Sequence, residues 1–291
     1  MRPPEILFVP AHTIPVIRRP KLKTIVTVHD LGVEFLEAYH KFPQKIYLNW
    51  STEYVAKYAT HIIAVSKSTQ KDLITTLGVP RERISVVPEG VDGSFFYKRN
   101  TKEVEKIRMK YGLRKKYLIF VGTIQPRKNI KNLIKAFSKL RLKDVDLVLS
   151  GKPGWLYDEI YKAPKRYGVS GNVKFLGFTN SEDLPALYSG SIALTLPSLY
   201  EGFGLPILEA MACETAVVTS STSSMPEVSG GKAVLVDPHK VDDIAKAIGE
   251  ISSNNNLRSK LAKSGLSWSK KFPWEKTAKE TVKVFEKVYR E

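Results

Sequence analysis

Two glutamates eight residues apart flank a turn that is rich in glycine. The segment follows an apolar run at 192–196 and consists of Glu201, Gly202, Phe203, Gly204, Leu205, Pro206, Ile207, Leu208 and Glu209. Pro206 suits the first position of a helix, so the N–H groups before it would stand at the positive helix end, where anions and hydroxyls bind. Carboxylate oxygens accept hydrogen bonds from sugar hydroxyls. We therefore predict a ligand site here, in preference to a helix-dipole partner at Glu209 and a surface acid at Glu201.

A second candidate site begins where an apolar run at 117–121 ends. Gly122 allows a ligand to approach the backbone, and Arg127 with Lys128 places two cations where a helix begins. A diphosphate is the ligand that this arrangement favours, because helix N-termini and cations both bind anions. The lysines at 131, 135 and 139 recur every four residues and are more typical of a solvated helix face.

A histidine ends an earlier apolar run. His29 directly follows Val28, and open α/β sheets bind their ligands at the carboxyl ends of strands. A catalytic and a structural role fit this histidine equally well. Asp144 and Asp146 resemble a metal-binding pair, but we interpret them as a turn before a strand, and no His or Cys cluster has zinc spacing. We therefore expect no metal site.

Short apolar runs would position these residues. Because the runs are continuous and do not alternate with polar residues, we expect parallel sheets with both faces covered by helices. The predicted strands are 6–9, 24–28, 61–65, 84–87, 117–121, 146–149, 173–176, 192–196, 216–218 and 233–236. Amphipathic patterns predict helices at 47–58, 67–77, 129–140, 241–251 and 274–291, with Ser66 as the N-cap of the second. The fold class is therefore α/β, with two doubly wound domains.

The chain has 291 residues, which is enough for two domains. We place a partial first domain at 1–97, a second domain at 98–268 and a C-terminal helix at 269–291 that packs back toward the first domain. The net charge is +17, and the stretches 98–116 and 127–143 each contribute +7. Such a field favours phosphorylated ligands or an anionic membrane surface. Nucleic acid is not expected, because the lysines lack interleaved aromatic residues.

Compartment is indicated by three features. The one cysteine, Cys213, permits no internal disulfide, which fits a reducing environment. The longest uncharged stretch, 184–200, contains two prolines and is too short to span a bilayer. The N-terminal residues make a poor signal peptide. We expect a cytoplasmic protein with at most peripheral contact to an anionic membrane.

Taken in order, these motifs resemble the retaining glycosyltransferases of family 4 (glycosyl transferases group 1). That family has the GT-B fold, in which two Rossmann-like domains face each other across a cleft. The most specific matching element is the pair of glutamates around Gly-Phe-Gly-Leu-Pro. Further matching segments are 26–31, 64–66, 86–92, 121–129, 150–152, 173–177, 198–212, 226–228 and 236–238.

The resemblance implies a role for each candidate residue. Arg127 and Lys128 would bind the diphosphate of a nucleotide-sugar donor, Glu209 its ribose, and Glu201 the transferred sugar. His29 would lie beside the sugar and the departing phosphate. The implied donor-binding residues are Gly122, Thr123, Arg127, Lys128, Gly202, Phe203, Gly204, Leu205 and Glu209, and the implied catalytic residues are His29 and Glu201.

The resemblance also implies the reaction. A hexose would pass from a nucleoside diphosphate sugar to a saccharide or lipid-linked acceptor with retained anomeric configuration, and no metal or other cofactor would be needed. Segments 123–129 and 151–155 are most similar to mannosyltransferase-like members, which suggests GDP-mannose as the donor.

One departure from the family pattern concerns the start of the chain. Met1 comes almost directly before a strand from the middle of the first domain, so we expect an incomplete first domain. The chain would be a fragment, have a misassigned start, or receive the missing part from a partner chain. The alternative to an active enzyme is a noncatalytic subunit that binds nucleotide sugars or acts as a scaffold. Within the same fold, an epimerase of nucleotide sugars is a weaker alternative.

Overall fold

The computed structural model describes residues 4–11, 13–19, 21–32 and 44–291. These residues form two compact units. Unit 1 comprises Met1–Gly90, Glu201–Phe203 and Phe272–Glu291, and unit 2 comprises Val91–Tyr200 and Gly204–Lys271. No helix within the described residues is long and apolar enough to cross a membrane.

Ten strands and eleven α-helices are found among the described residues. The strands are β1 Ile6–Val9, β2 Lys23–Val28, β3 His61–Ala64, β4 Ile84–Val86, β5 Lys116–Val121, β6 Val145–Ser150, β7 Val173–Gly177, β8 Ala193–Leu196, β9 Ala216–Ser220 and β10 Val234–Val236. The helices are α1 Gln44–Tyr58, α2 Lys67–Leu77, α3 Thr101–Lys110, α4 Ile130–Lys139, α5 Asp158–Arg166, α6 Leu184–Ser189, α7 Leu205–Ala212, α8 Met225–Ser229, α9 Val241–Ser253, α10 Asn255–Ser269 and α11 Trp274–Arg290.

Unit 1 is built on a parallel sheet in the order β1-β2-β3-β4. One face of the sheet packs on residues of α1 and α2, including Val55 and Leu73. On the opposite face, Ile25 and Ile63 pack with Val284 of α11. Burial on both faces is the reason that these strands are continuous apolar runs.

Unit 2 is a six-stranded parallel sheet in the order β10-β9-β8-β5-β6-β7. All ten predicted strands are confirmed to within two residues at each end, and the α/β doubly wound prediction is confirmed. Helix α4 buries Leu133 and Phe137 and exposes its lysines, as its pattern predicts. Asp146 is predicted both as the end of a turn and as the start of the strand 146–149, and the structure confirms the strand. This residue lies inside β6, 2% exposed, with Lys115 and Lys174 each 3.9 Å away.

The loops that follow β5 and β6 approach each other closely. Gly151 has a φ of +156°, and a Cβ at this position would lie 1.9 Å from the carbonyl oxygen of Gly122. Backbone hydrogen bonds join the same loops, from Gly122 N to Ser150 O at 2.9 Å and from Ile124 N to Lys152 O at 2.9 Å. Only glycine allows this approach, which fixes the path of the chain after β5.

We predict that Gly151→Ala lowers the free energy of unfolding by about 3 kcal/mol or more, because the added methyl group overlaps backbone atoms and the φ is unfavourable. Urea unfolding followed by circular dichroism measures the change. The control is Gly171→Ala, where a Cβ meets nothing within 4 Å and φ is not positive. Equal stability of the two variants would contradict the close approach.

Candidate active site

The strand order of unit 2 reverses direction between β5 and β8. From β5 the sheet grows through β6 and β7 on one side and through β8, β9 and β10 on the other. Loops that leave two such neighbouring strands diverge, and the opening at their carboxyl ends is where doubly wound sheets bind ligands. The predicted residues Gly122 and Arg127 follow β5, and residues 197–200 follow β8, so both segments lie at this point.

The turn that carries the two cations is fixed to the end of β8. Pro126–Lys128 forms a 3-10 turn, and the carbonyl of Arg127 accepts a hydrogen bond from Leu199 N at 2.9 Å. In return, Arg127 Nη1 donates to the carbonyl of Tyr200 at 3.0 Å. The Lys128 side chain lies beside Gly122, since a Cβ on Gly122 would be 3.8 Å from Lys128 Cε. The structure thus brings Gly122, Arg127 and Lys128 together, and all three are partly exposed.

Asn129 directly follows this turn and anchors it to neighbouring chain segments. The sequence did not identify this asparagine as a functional residue. It is 6% exposed and adopts the left-handed conformation, with φ 58°. Its side-chain Nδ2 donates to the carbonyl of Pro197 at 3.0 Å and to that of Pro238 at 2.7 Å. The amide therefore ties the start of α4 to the chain after β8 and after β10.

Glu209 is the fifth residue of α7, so it lies beyond the first helical turn and is not the dipole partner of the alternative interpretation. Its Oε2 accepts a hydrogen bond from the Tyr188 hydroxyl at 2.8 Å. Burial raises the pKa of Glu209 to about 7, although the Tyr188 hydrogen bond works in the opposite direction. Tyr188, which is fully buried, orients the carboxylate; it is 21 residues away and no sequence pattern marks it.

The start of α7 provides backbone donors. Gly204 is its N-cap, with φ 101°, and Leu205 is its first residue. Within the described part of the chain, the N–H groups of Gly204 and Leu205 have no acceptor. These N–H groups can bind an anion or a hydroxyl, as the sequence predicts. Thr123, after β5, is exposed, and its methyl group lies against Gly154.

In unit 1, the segment Glu201–Phe203 is held by α2 and by the chain after β2. The Gly202 carbonyl accepts hydrogen bonds from Ser66 Oγ at 2.6 Å and Thr69 Oγ1 at 3.2 Å, and Ser66 is also the N-cap of α2. A Cβ on Gly202 would lie only 1.7 Å from the His29 carbonyl oxygen. Gly202 and His29 are therefore neighbours, and the adjoining Glu201 is only 6% exposed.

Both ring nitrogens of His29 face hydrogen-bond acceptors. Nδ1 lies 2.8 Å from Glu89 Oε1, and Nε2 lies 3.0 Å from the carbonyl oxygen of Pro10. Neither acceptor can donate when Glu89 is ionised, so the geometry favours the doubly protonated imidazolium. The Glu89 hydrogen bond raises the pKa of His29 against the opposing effect of burial. Glu89 comes three residues after the end of β4, and this place beyond the carboxyl end of a strand is the sequence signal that could have identified it.

We predict that Glu89→Gln lowers the pKa of His29 toward its ordinary 6.5, because the charged acceptor is lost. NMR titration of the His29 ring protons measures this pKa. Since the folded-state pKa is raised, the pair stabilises the fold fully below pH 6.5, and this contribution is lost as the pH rises through the folded-state pKa.

Two controls accompany this titration. Glu82→Gln removes an exposed glutamate from the same unit and should leave the pKa of His29 unchanged. His61, whose pKa burial lowers to about 4, should titrate identically in both variants. A His29 pKa that is the same in Glu89→Gln and the wild type would contradict the assigned ion pair.

We predict that Glu209→Gln stabilises unit 2 relative to the wild type increasingly between pH 4.5 and pH 7. Burial gives the folded wild type an extra bound proton in this window, so wild-type stability falls with rising pH by up to about 3 kcal/mol. Glutamine keeps the acceptor for Tyr188 and does not titrate. Urea unfolding at pH 5 and pH 8 measures the difference, with the exposed Glu182→Gln as control; a difference that is independent of pH would contradict the raised pKa.

Comparisons with known proteins place this geometry in a family. The family model described as glycosyl transferases group 1 matches residues 103–268, and the model described as glycosyltransferase family 4 matches residues 6–95. Among curated relatives, the O-antigen chain mannosyltransferase B of Escherichia coli is 33% identical over 90% of this chain and 70% of its own length. The serotype-specific mannosyltransferase WbdA of Escherichia coli is 32% identical over 93% of this chain, which spans only 33% of that relative.

Solved structures confirm the fold. The sucrose-phosphate synthase of Thermosynechococcus elongatus superposes with a TM-score of 0.78 at 24% identity, over 94% of this chain and 69% of its own. Anabaena Alr3699/HepE, solved in complex with UDP-glucose, superposes with a TM-score of 0.80 at 21% identity, over 91% of this chain and 72% of its own. The GT-B prediction is thereby confirmed. The chain belongs to the glycosyl transferases group 1 family, as its motifs indicate.

Proposed function

We propose that the chain transfers a hexose, with mannose as the expected sugar, from a nucleoside diphosphate sugar to a saccharide or lipid-linked acceptor with retained anomeric configuration. The observation that carries this proposal is the arrangement at the strand-order reversal of unit 2. Two cations, a glycine that exposes backbone and the start of α7 lie there with a carboxylate in the same unit. Each group suits a different part of a nucleotide sugar.

The donor diphosphate is assigned to Arg127 and Lys128. Arg127 is held by its bond to the Tyr200 carbonyl, so its position is set before a ligand arrives. Positive charge that is fixed in advance stabilises the diphosphate as it leaves, and such preorganised electrostatics is usually the largest contribution to catalysis. The N–H groups of Gly204 and Leu205 supply further donors for an anion or a sugar hydroxyl.

The ribose of the donor is assigned to Glu209. A ribose diol donates two hydrogen bonds, which an ionised carboxylate can accept. Because burial raises the pKa of Glu209 to about 7, binding of the diol would favour the ionised form and release a proton. Tyr188 would keep one oxygen oriented throughout.

His29 and Glu201 remain the proposed catalytic residues of unit 1. An imidazolium whose two N–H groups both donate has no lone pair, so His29 in this state is a cation and not a general base. A role in stabilising negative charge on the departing phosphate is consistent with this state. Glu201 and the backbone of Gly202 and Phe203 are assigned to the transferred sugar.

The choice of mannose draws support from the relatives. The two Escherichia coli proteins are named as mannosyltransferases, whereas the HepE structure contains UDP-glucose. GDP-mannose and UDP-glucose differ in both base and sugar. A direct comparison of GDP-mannose, GDP-glucose, UDP-mannose and UDP-glucose therefore separates the choice of base from the choice of sugar. The noncatalytic subunit is the competing proposal, and it predicts donor binding without turnover.

We predict that GDP-mannose binds the wild-type chain and that Lys128→Gln weakens this binding roughly tenfold, because a charged hydrogen bond to phosphate is lost. Isothermal titration calorimetry measures the affinity. Lys131→Gln is the matched control, since Lys131 is an exposed lysine in the first turn of α4 and should leave the affinity within twofold.

Turnover is measured separately, as nucleoside diphosphate released in the presence of mannose oligosaccharides, with the product anomer assigned by NMR. Binding and a product of retained configuration support the proposal. Binding without release on any acceptor favours the noncatalytic subunit. No binding of any of the four nucleotide sugars contradicts both.

A further inference from the structure

A groove runs along α2 in unit 1, apart from the residues assigned to the donor. Its volume is about 610 Å³, within the range of small-molecule sites. The residues that line it are Lys67, Gln70, Lys71, Ile74, Thr75, Arg81 and Val86.

The spacing of these residues explains the groove. Five of them lie on α2 at positions 67, 70, 71, 74 and 75, which is the spacing of one helix face over about 12 Å. The opposite wall comes from Arg81, in the 3-10 turn Arg81–Arg83, and from Val86 of β4. Strand β4 is the last strand of its sheet, so the groove lies at a sheet edge.

The lining is strongly basic. It contains three cations and no carboxylate. Lys71 and Arg81 are exposed, and the side chain of neither has an ion-pair or hydrogen-bond partner in the described ranges. The neighbouring Arg83 differs, because its guanidinium donates to the carbonyls of Ala56 and Ala59 and so holds the turn in place. The Arg83 side chain therefore stabilises the fold, whereas the Arg81 guanidinium has no such partner in the described residues.

The chemistry of the lining selects a phosphate. Arginine presents a planar fork to phosphate oxygens, and lysine adds point charges that adjust to them. Gln70 and Thr75 can hydrogen-bond to further oxygens, while Ile74 and Val86 offer contact to an apolar part. We propose that this groove binds a ligand that carries a phosphate or diphosphate group beside a short apolar part.

The position of the groove suggests what such a ligand does. Lys67 directly follows Ser66, whose hydroxyl donates to the Gly202 carbonyl at 2.6 Å. The groove thus begins at the helical turn that holds the segment Glu201–Phe203. If the proposed function holds, the ligand is the phosphate-bearing end of the acceptor; this assignment rests on the proposed function, whereas the binding itself does not.

Lysine acetylation of the wild-type chain, measured by mass spectrometry, tests ligand binding at each lysine separately. Inorganic pyrophosphate is the probe. Lys71 reports on the groove, Lys128 on the proposed donor site, and the exposed Lys279 of α11 serves as an internal reference. We expect pyrophosphate to slow acetylation of Lys71 at least threefold and to leave Lys279 unchanged. Equal protection of Lys71 and Lys279, or none at Lys71, overturns the proposal, whatever happens at Lys128.

A pair of variants tests the role of the cations. Lys71→Glu/Arg81→Glu should abolish the protection of Lys67, whereas Lys279→Glu/Lys283→Glu changes the net charge equally and should retain it. Loss of protection in both variants would indicate general attraction and overturn the proposal. If the first variant does not fold, as circular dichroism would show, the wild-type experiment still decides.

Two further ligands distinguish a soluble phosphate from a lipid headgroup as the source of the bound phosphate. A hexose 1-phosphate represents a soluble source, and phosphatidylcholine vesicles with and without 20 mol % phosphatidylglycerol represent a lipid headgroup. Protection of Lys71 by the hexose 1-phosphate identifies a soluble ligand, and protection only by the anionic vesicles identifies a headgroup. Protection by neither, with none by pyrophosphate, overturns the proposal.

Discussion

One buried side chain, Asn129, holds together the chain segments at the carboxyl ends of the unit 2 strands. The strand order reverses between the paired strands β5 and β8, so the connections that follow them diverge, and the chain after each strand must still be held in place. Both amide protons of Asn129 are used for this, one on the Pro197 carbonyl and one on the Pro238 carbonyl. Asparagine also tolerates the left-handed backbone at φ 58° better than most residues do. Aspartate would share that tolerance but lacks the donors, so residue type and conformation together account for this position.

Two titratable groups in different units have raised pKa values for opposite physical reasons. His29 gains from a carboxylate, which favours its charged form, whereas Glu209 is buried, which favours its neutral form. Near neutral pH the first therefore tends toward a cation and the second is poised between its two states. Ligand hydroxyls that donate to Glu209 would shift it to the anion, while the bonds to Glu89 and Pro10 hold His29 protonated without any ligand. The protonation state of His29 is thus set by the fold, whereas under the proposed function that of Glu209 would respond to the ribose.

The sequence predicts the strands, their order along the chain and the residues that stand at their ends, because these are local patterns with a fixed period. It does not predict the partners that hold those residues. Tyr188 reaches Glu209 across 21 residues, and Glu89 reaches His29 across 60, so only the folded topology brings them together. The partners of Asp146 are a further example. Its two lysines lie on the chain before β5 and on β7, and no local pattern reveals that a carboxylate inside β6 lies between them.

Charge density along the sequence points to one of the two proposed anion sites, at Arg127 and Lys128, but not to the groove on α2. Some of the sixteen cations at 98–143 form ion pairs within unit 2, including the pairs Lys98–Glu214, Arg108–Glu105, Lys110–Asp183, Lys115–Asp146 and Lys139–Asp242. Paired cations are partly neutralised and attract a ligand weakly. The groove on α2 lies outside that stretch, yet three cations converge there with no carboxylate in the lining. The folded chain, rather than the number of lysines in a segment, therefore decides where cations come together.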